Sequence, residues 1–281
     1  MKFDIWKNQY DIVDEVYSRD NYLIIENENI ENNICYIFFS SNNIWSPNTD
    51  KAFLKSFIEN NYFEWVNYGK EKVRKRIFLR DIYKSWYTTG ISKEINSIDK
   101  ILDFLKKETK GMKIVCVGSS AGGYMACLVG SLLKAERVFA FSCQFDIANN
   151  ENYNKNPILE KYKNNIEQSK YFNITEYIGK SNNEIFYFLP IKSEIDKLQA
   201  SKIKHLDCVN TIKFNSKRHG IPCFKCNLES ILFMTQQELK VLNCNKTINP
   251  FLLSIQISGI KNTILYVIKT LTKQITNRVK R

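Results

Sequence analysis

Met112-Lys-Ile-Val-Cys-Val-Gly118-Ser-Ser120-Ala-Gly122-Gly123-Tyr-Met-Ala-Cys-Leu-Val-Gly130 reads as a buried strand, a tight Gly-x-Ser-x-Gly turn and then a helix. A serine on so sharp a turn projects its hydroxyl above the sheet, beside backbone N–H groups at a helix N-terminus that can hold an oxyanion. This is the pattern of a nucleophile elbow. Ser120 is the candidate nucleophile, and Gly118 and Gly122 are the side-chain-free positions where strand and helix approach. A dinucleotide-binding turn needs glycine where Ser120 stands, and a Walker A loop needs Lys-Ser or Lys-Thr after Gly123, so neither phosphate-cradling reading applies.

A serine hydroxyl needs a base to take its proton, usually an imidazole oriented by a carboxylate. Only His205 and His219 are available. The order serine, acid, histidine along the chain points to His219, in the loop Ser216–Pro222 after a predicted strand over 209–215. His205 falls at an apparent helix end, where a partly exposed histidine is ordinary. The acid should follow the strand predicted over Asn183–Leu189, where Asp196 and Glu194 compete. Asp196 is preferred as the shorter orienting group; Glu194 is the alternate, and either could be only an N-cap or a solvated charge. The oxyanion hole should combine the N–H of Ala121 with that of Ser41 or Asn42, in the loop after the strand Ile34–Phe39.

Outward from the elbow, strand and helix alternate. Strands are predicted near 21–25, 34–39, 76–80 and 137–142, and helices over 50–59 and 92–108. The alternation implies an α/β fold, a mostly parallel sheet with helices on both faces and a site at the carboxyl ends of its strands. The expected organisation is one domain over 1–248, with a lid-like insertion at about 145–180, and a basic amphipathic segment over 249–281. Arg80, Asp81, Trp86 and Tyr87 leave a strand end near the same edge. They read either as a substrate wall, since aromatic faces and forked Arg hydrogen bonds suit sugars and carboxylates, or as core closure.

Eight cysteines with no signal-like N-terminus argue for reduced thiols. Cys223-Phe-Lys-Cys226 has the spacing of half a zinc site but no second pair, and a metal there would engage the only good base, so no metal is expected. No uninterrupted apolar stretch reaches spanning length, which gives a cytoplasmic expectation. The formal net charge is +12, and six of the basic residues lie within 251–281, where there is no acid. There Ile257, Ile260, Ile264, Ile268, Leu271 and Ile275 step by three or four into one apolar stripe opposite the lysines. Such a helix either lies on an anionic membrane surface, peripheral to the inner face, or packs its stripe on protein. Charge without a binding motif does not indicate nucleic acid.

Gly118-Ser-Ser-Ala-Gly-Gly-Tyr124, Val138–Ser142 with Gln144, Arg80-Asp81 with Trp86-Tyr87, and Ile195-Asp196 with Gln199 resemble α/β-hydrolase-fold proteins of bacterial surface-polysaccharide (capsule or lipopolysaccharide) loci. More distantly they are similar to capsule O-acetyltransferases of that fold. The resemblance spans about 30–235 and implies Ser120, Asp196 and His219 as a triad. It also implies an esterase or O-acetyltransferase acting on a surface glycan or its precursor, with no bound cofactor and acetyl-CoA or another acyl-CoA as co-substrate. The rival expectation is a non-catalytic assembly protein of a polysaccharide machine that keeps the fold.

Overall fold

The computed structural model describes residues 3–6, 10–148, 156–244 and 246–279. In chain order the elements are α1 (Asp11–Tyr17), β1 (Tyr22–Glu26), β2 (Ile34–Phe39), α2 (Asp50–Leu54), β3 (Lys75–Leu79), α3 (Ile98–Glu108), β4 (Lys113–Ser119), α4 (Ala121–Leu132) and β5 (Arg137–Phe141). There follow α5 (Pro157–Tyr162), α6 (Ile166–Ser169), α7 (Thr175–Gly179), β6 (Glu184–Pro190), α8 (Glu194–Ser201), β7 (Val209–Phe214), α9 (Leu228–Leu232), α10 (Gln236–Leu242) and α11 (Pro250–Val279).

The seven strands form one sheet in the order β1-β3-β2-β4-β5-β6-β7. Only β1 runs antiparallel to its neighbour; every other pair is parallel. The inner strands are near-continuous aromatic and aliphatic runs because both of their faces are covered. Along β2, Cys35, Ile37 and Phe39 enter the core shared with α3, α4 and α7, while Tyr36 and Phe38 enter the core beneath α9, α10 and the start of α11. The two-residue alternation of a strand thus feeds both layers. A third cluster packs α1 and α2 around Trp45 and Ile82.

Several elements are shorter or differently placed than the sequence pattern predicts. The helix expected over 92–108 starts only at Ile98, because the Ser97 hydroxyl accepts the Lys100 N–H and caps it there. The one expected over 50–59 changes after α2 into a π-helical turn, Lys55–Glu59. Within the 145–180 insertion, Tyr171, Phe172, Ile174 and Ile178 pack on the α4 side, where the Tyr124 hydroxyl donates to the Tyr171 carbonyl, and the buried Asn156 side-chain amide donates to the Lys84 carbonyl in the loop after β3. Its residues 149–155 lie outside the described ones.

The expected C-terminal helix is present as α11. Pro250–Thr272 is a helix long and apolar enough, by length and composition alone, to cross a membrane, since only Lys261 and Lys269 interrupt it. It is not straight: Gly259 adopts φ 78° and ψ 161°, and the hydroxyls of Ser254 and Thr263 meet at 2.9 Å across the bend. Leu253 and Ser254 are buried against the domain, whereas Ile260, Ile264, Ile268 and Leu271 are exposed. Ile275 and the basic side chains beyond Thr272 lie outside the described side chains.

The elbow depends on two backbone approaches. A Cβ on Gly118 would lie 2.0 Å from the Gly122 carbonyl oxygen, and one on Gly122 would lie 2.3 Å from that of Phe39. Both obstacles are main chain, which cannot rotate aside. Gly122→Ala is therefore expected to lower the unfolding free energy by about 1–3 kcal/mol or more, read as a lowered urea midpoint with unchanged slope.

Candidate active site

Ser120 follows β4 and caps α4 in a strained conformation, φ 56° and ψ −118°. Its N–H is held by the Phe141 carbonyl at 2.8 Å, which pins the turn to the neighbouring strand. The strain leaves the hydroxyl at the carboxyl edge of the sheet. There Ser120 Oγ lies 2.9 Å from His219 Nε2, and His219 Nδ1 lies 3.1 and 3.0 Å from the two oxygens of Asp196. Three separate elements converge: the β4–α4 turn, the first turn of α8, and the loop after β7. Asp196 is 0% exposed. Glu194, two residues earlier, has a side chain 83% exposed and pairs with Lys197 at 2.6 Å, so it plays no part. His205 is exposed beyond the end of α8 and is likewise apart.

Gln144 also reaches the serine, and the sequence-level role assignments omit it. Its Nε2 lies 3.0 Å from Ser120 Oγ, and its Oε1 accepts the Trp86 indole N–H at 2.7 Å. No motif spacing announces this contact, because Gln144 arrives from β5 and Trp86 from the loop after β3.

The oxyanion loop is only partly as expected. The Ala121 N–H, at the first position of α4, has no hydrogen-bond partner among the described residues. The Ser41 N–H, in contrast, donates to Glu64 Oε2 at 2.7 Å, and the Ser41 hydroxyl donates to Glu64 Oε1 at 3.0 Å. A carboxylate therefore sits on the predicted second donor. Burial pushes the Glu64 carboxyl up, while the two Ser41 hydrogen bonds and the charge of Lys225 pull it down. Asn42, the other candidate, has a buried Oδ1 with no partner.

The four proposed wall residues do not line the cleft. Arg80 is buried; its guanidinium donates to Asn21 Oδ1 (2.9 Å) and the Tyr62 carbonyl (3.0 Å) and lies 4.2 Å over the Phe63 ring. Asp81 is buried and accepts the N–H groups of Tyr83, Ser85 and Tyr87 at 3.0, 2.6 and 2.9 Å. Burial pushes its carboxyl up to about 6 against those bonds. The Tyr87 hydroxyl donates to the Ser40 carbonyl, which braces the oxyanion loop, and the Trp86 indole N–H donates to Gln144 Oε1. These side chains shape loops. The cleft itself, about 460 Å³, is lined by Tyr62, Trp65, Tyr68, Arg218, Ile221 and Lys225 together with Ser120 and His219. Among the described residues no group of three or more His, Cys, Asp or Glu side chains could hold a metal ion, and Cys226 is exposed while Cys223 is buried.

An antiparallel first strand beside a parallel sheet, a serine elbow after β4, an acid after β6 and a histidine after β7 together define the α/β-hydrolase fold. No family model matches the chain, and no curated protein matches it. Solved structures to which it is similar include the capsule O-acetyltransferase of Neisseria meningitidis serogroup A, at 13% identity and TM-score 0.48 over 69% of this chain and 83% of that one. Others are a lipase-esterase related protein from Clostridium acetobutylicum (14%, TM-score 0.44, 79% and 98%) and Est1E from Butyrivibrio proteoclasticus (10%, TM-score 0.44, 79% and 90%).

A loop-shaping Asp81 predicts a stability defect. Asp81→Ala strands three buried N–H groups and should cost about 3 kcal/mol, seen as a lowered thermal midpoint. A wall residue would instead leave the midpoint in place and change substrate affinity.

Proposed function

We propose that this chain is a serine acyl-transfer enzyme with Ser120 as nucleophile, His219 as general base and acid, and Asp196 as the group that holds the imidazole in register. The observation that carries this reading is the unbroken relay from Ser120 Oγ through His219 to the buried Asp196, with contacts of 2.9 and 3.0 Å. Ser120 attacks an ester or thioester carbonyl as its proton passes to His219 Nε2, and the leaving group takes that proton. The Ala121 N–H, with that of Ser41 or Asn42, holds the oxyanion. Ser41 serves only once the Glu64 carboxylate turns away from its N–H.

Water resolves the acyl-enzyme in an esterase, and a sugar hydroxyl does so in an O-acetyltransferase. The aromatic wall of Tyr62, Trp65 and Tyr68, interspersed with Asn43 and Asn67, favours a glycan or its precursor as the partner. Arg218 and Lys225 border the cleft with no ion-pair partner among the described residues, which favours an anionic donor such as acetyl-CoA or another acyl-CoA. The exposed apolar side chains of α11, with Lys261 and Lys269 among them, support a peripheral place on an anionic inner membrane face. Glu64 on the Ser41 N–H is the one observation that favours the second reading, a non-catalytic assembly protein.

A fluorophosphonate probe separates the two readings. The folded chain should be labelled at Ser120, Ser120→Ala should abolish labelling, and Asp196→Asn should lower kcat for a nitrophenyl ester by about 10⁴-fold. An unlabelled wild type would support the assembly reading. Separately, the chain should sediment with phosphatidylglycerol vesicles, and the pair Ile264→Asp with Ile268→Asp should leave it in the supernatant.

A further inference from the structure

Ser120 Oγ has two hydrogen-bond partners, and the relay to His219 accounts for only one. The other is the Gln144 amide, whose side chain is 3% exposed. Chemistry fixes the direction of this bond. An indole N–H is a donor only, so the Gln144 oxygen faces Trp86 and its NH₂ faces Ser120. Oγ accepts from that NH₂ and keeps its own hydrogen for His219 Nε2. That nitrogen is then the bare one, and Nδ1–H points at Asp196. Donors thus run in one sense from Trp86 through Gln144, Ser120 and His219 to Asp196.

We propose that Gln144 is a further catalytic residue of this site, donating to Ser120 Oγ as that oxygen departs from the acyl group, and that Trp86 is the positioning residue that aims it. The inference rests on the acyl-transfer reading above. In acylation the Oγ–H proton goes to His219 Nε2, the Oγ–C bond forms, and the bond from carbon to the leaving group breaks with the proton returning from Nε2 to that group. In deacylation the attacking hydroxyl or water gives its proton to Nε2, its oxygen bonds to carbon, and the C–Oγ bond breaks with the electron pair going to Oγ. Oγ then takes the proton from Nε2. An ester oxygen shares its lone pair with the carbonyl and is a poor acceptor, whereas a departing alkoxide is a strong one. The Gln144 bond is therefore weak in the acyl-enzyme and strengthens as C–Oγ breaks, and an interaction that strengthens toward the transition state accelerates that step. Acylation gains less, because it starts from a hydroxyl that already accepts the bond.

The test is pre-steady-state turnover of nitrophenyl acetate by the full chain, with mass spectrometry of quenched samples. Gln144→Met keeps the length and loses the donor. It should slow deacylation about ten- to a hundredfold while acylation changes by less than about threefold, so a burst appears and acetyl-Ser120 accumulates. Trp86→Phe should move the same partition in the same direction by a smaller factor, and it carries the test if Gln144→Met fails to fold. An equal fall in both steps, or no change in either, would overturn the proposal while leaving the acyl-transfer reading intact. A wild type that does not turn over nitrophenyl acetate, with no acylation of Ser120 in it or in any of the variants, would overturn both.

Discussion

Everything at the carboxyl edge of the sheet depends on how closely β4 and α4 approach through Gly118 and Gly122. The main-chain atoms at these two positions occupy space that any Cβ would need. That contact forces the chain from strand to helix within one residue, Ser120, which takes a backbone conformation unusual for a side chain. The same reversal sets a hydroxyl and an unpaired helix N–H next to each other, which is why one serine can both attack and have its product charge held nearby. The flanking register supports it, since Gly118 pairs with Phe39 on one side and with Ala140 on the other.

The elbow, the alternation of strand and helix, and the three members of the relay were legible because each leaves a local mark. Gly-x-Ser-x-Gly is contiguous, a buried strand is a run of aromatic and branched residues, and a chain with two histidines limits the choice of base. Asp196 and Glu194 could be ranked but not separated by sequence, because what separates them is burial under β6. The residues that sequence missed or misplaced are those whose partners leave no mark in the pattern, whether distant, as for Arg80 with Asn21 and Tyr62, or close, as for Asp81 with the amides of residues 83, 85 and 87. Arg80 and Asp81 look alike as wall residues or as loop braces; only the Tyr62 carbonyl and the N–H groups of residues 83–87 decide for bracing. Glu64 belongs to no recognisable pattern, and Gln144 enters only through the family resemblance, which gives it no role; they matter through Ser41 and through Ser120 and Trp86.

Buried charge is handled in three different ways within a short distance of the serine. Asp196 faces an imidazole, Asp81 faces backbone amides, and Glu64 faces one amide and one hydroxyl. A desolvated carboxylate needs such donors, since an unpaired one costs several kcal/mol, about 3–5 when a partner is removed. Arg80 meets the same demand with carbonyl oxygens and aromatic faces, and its pKa falls to about 10 through burial. These arrangements lock the loops that carry Tyr62 and Ser40, so the shape of the cleft is set in part by Arg80 and Asp81, which do not line it.

The glycine at 259 limits what α11 can do with its apolar length. Measured along the axis, the limb from Pro250 to Ser258 rises only about 13 Å, less than half of the ~30 Å hydrocarbon layer of a bilayer. Threading the helix straight through would require the hinge to open. That would part the hydroxyls of Ser254 and Thr263 and lift Tyr266 off Phe224, whose rings now sit 5.3 Å apart. In its folded-back form the helix seats its first limb on the domain through Leu253 and Ser254 and turns Ile260, Ile264, Ile268 and Leu271 outward.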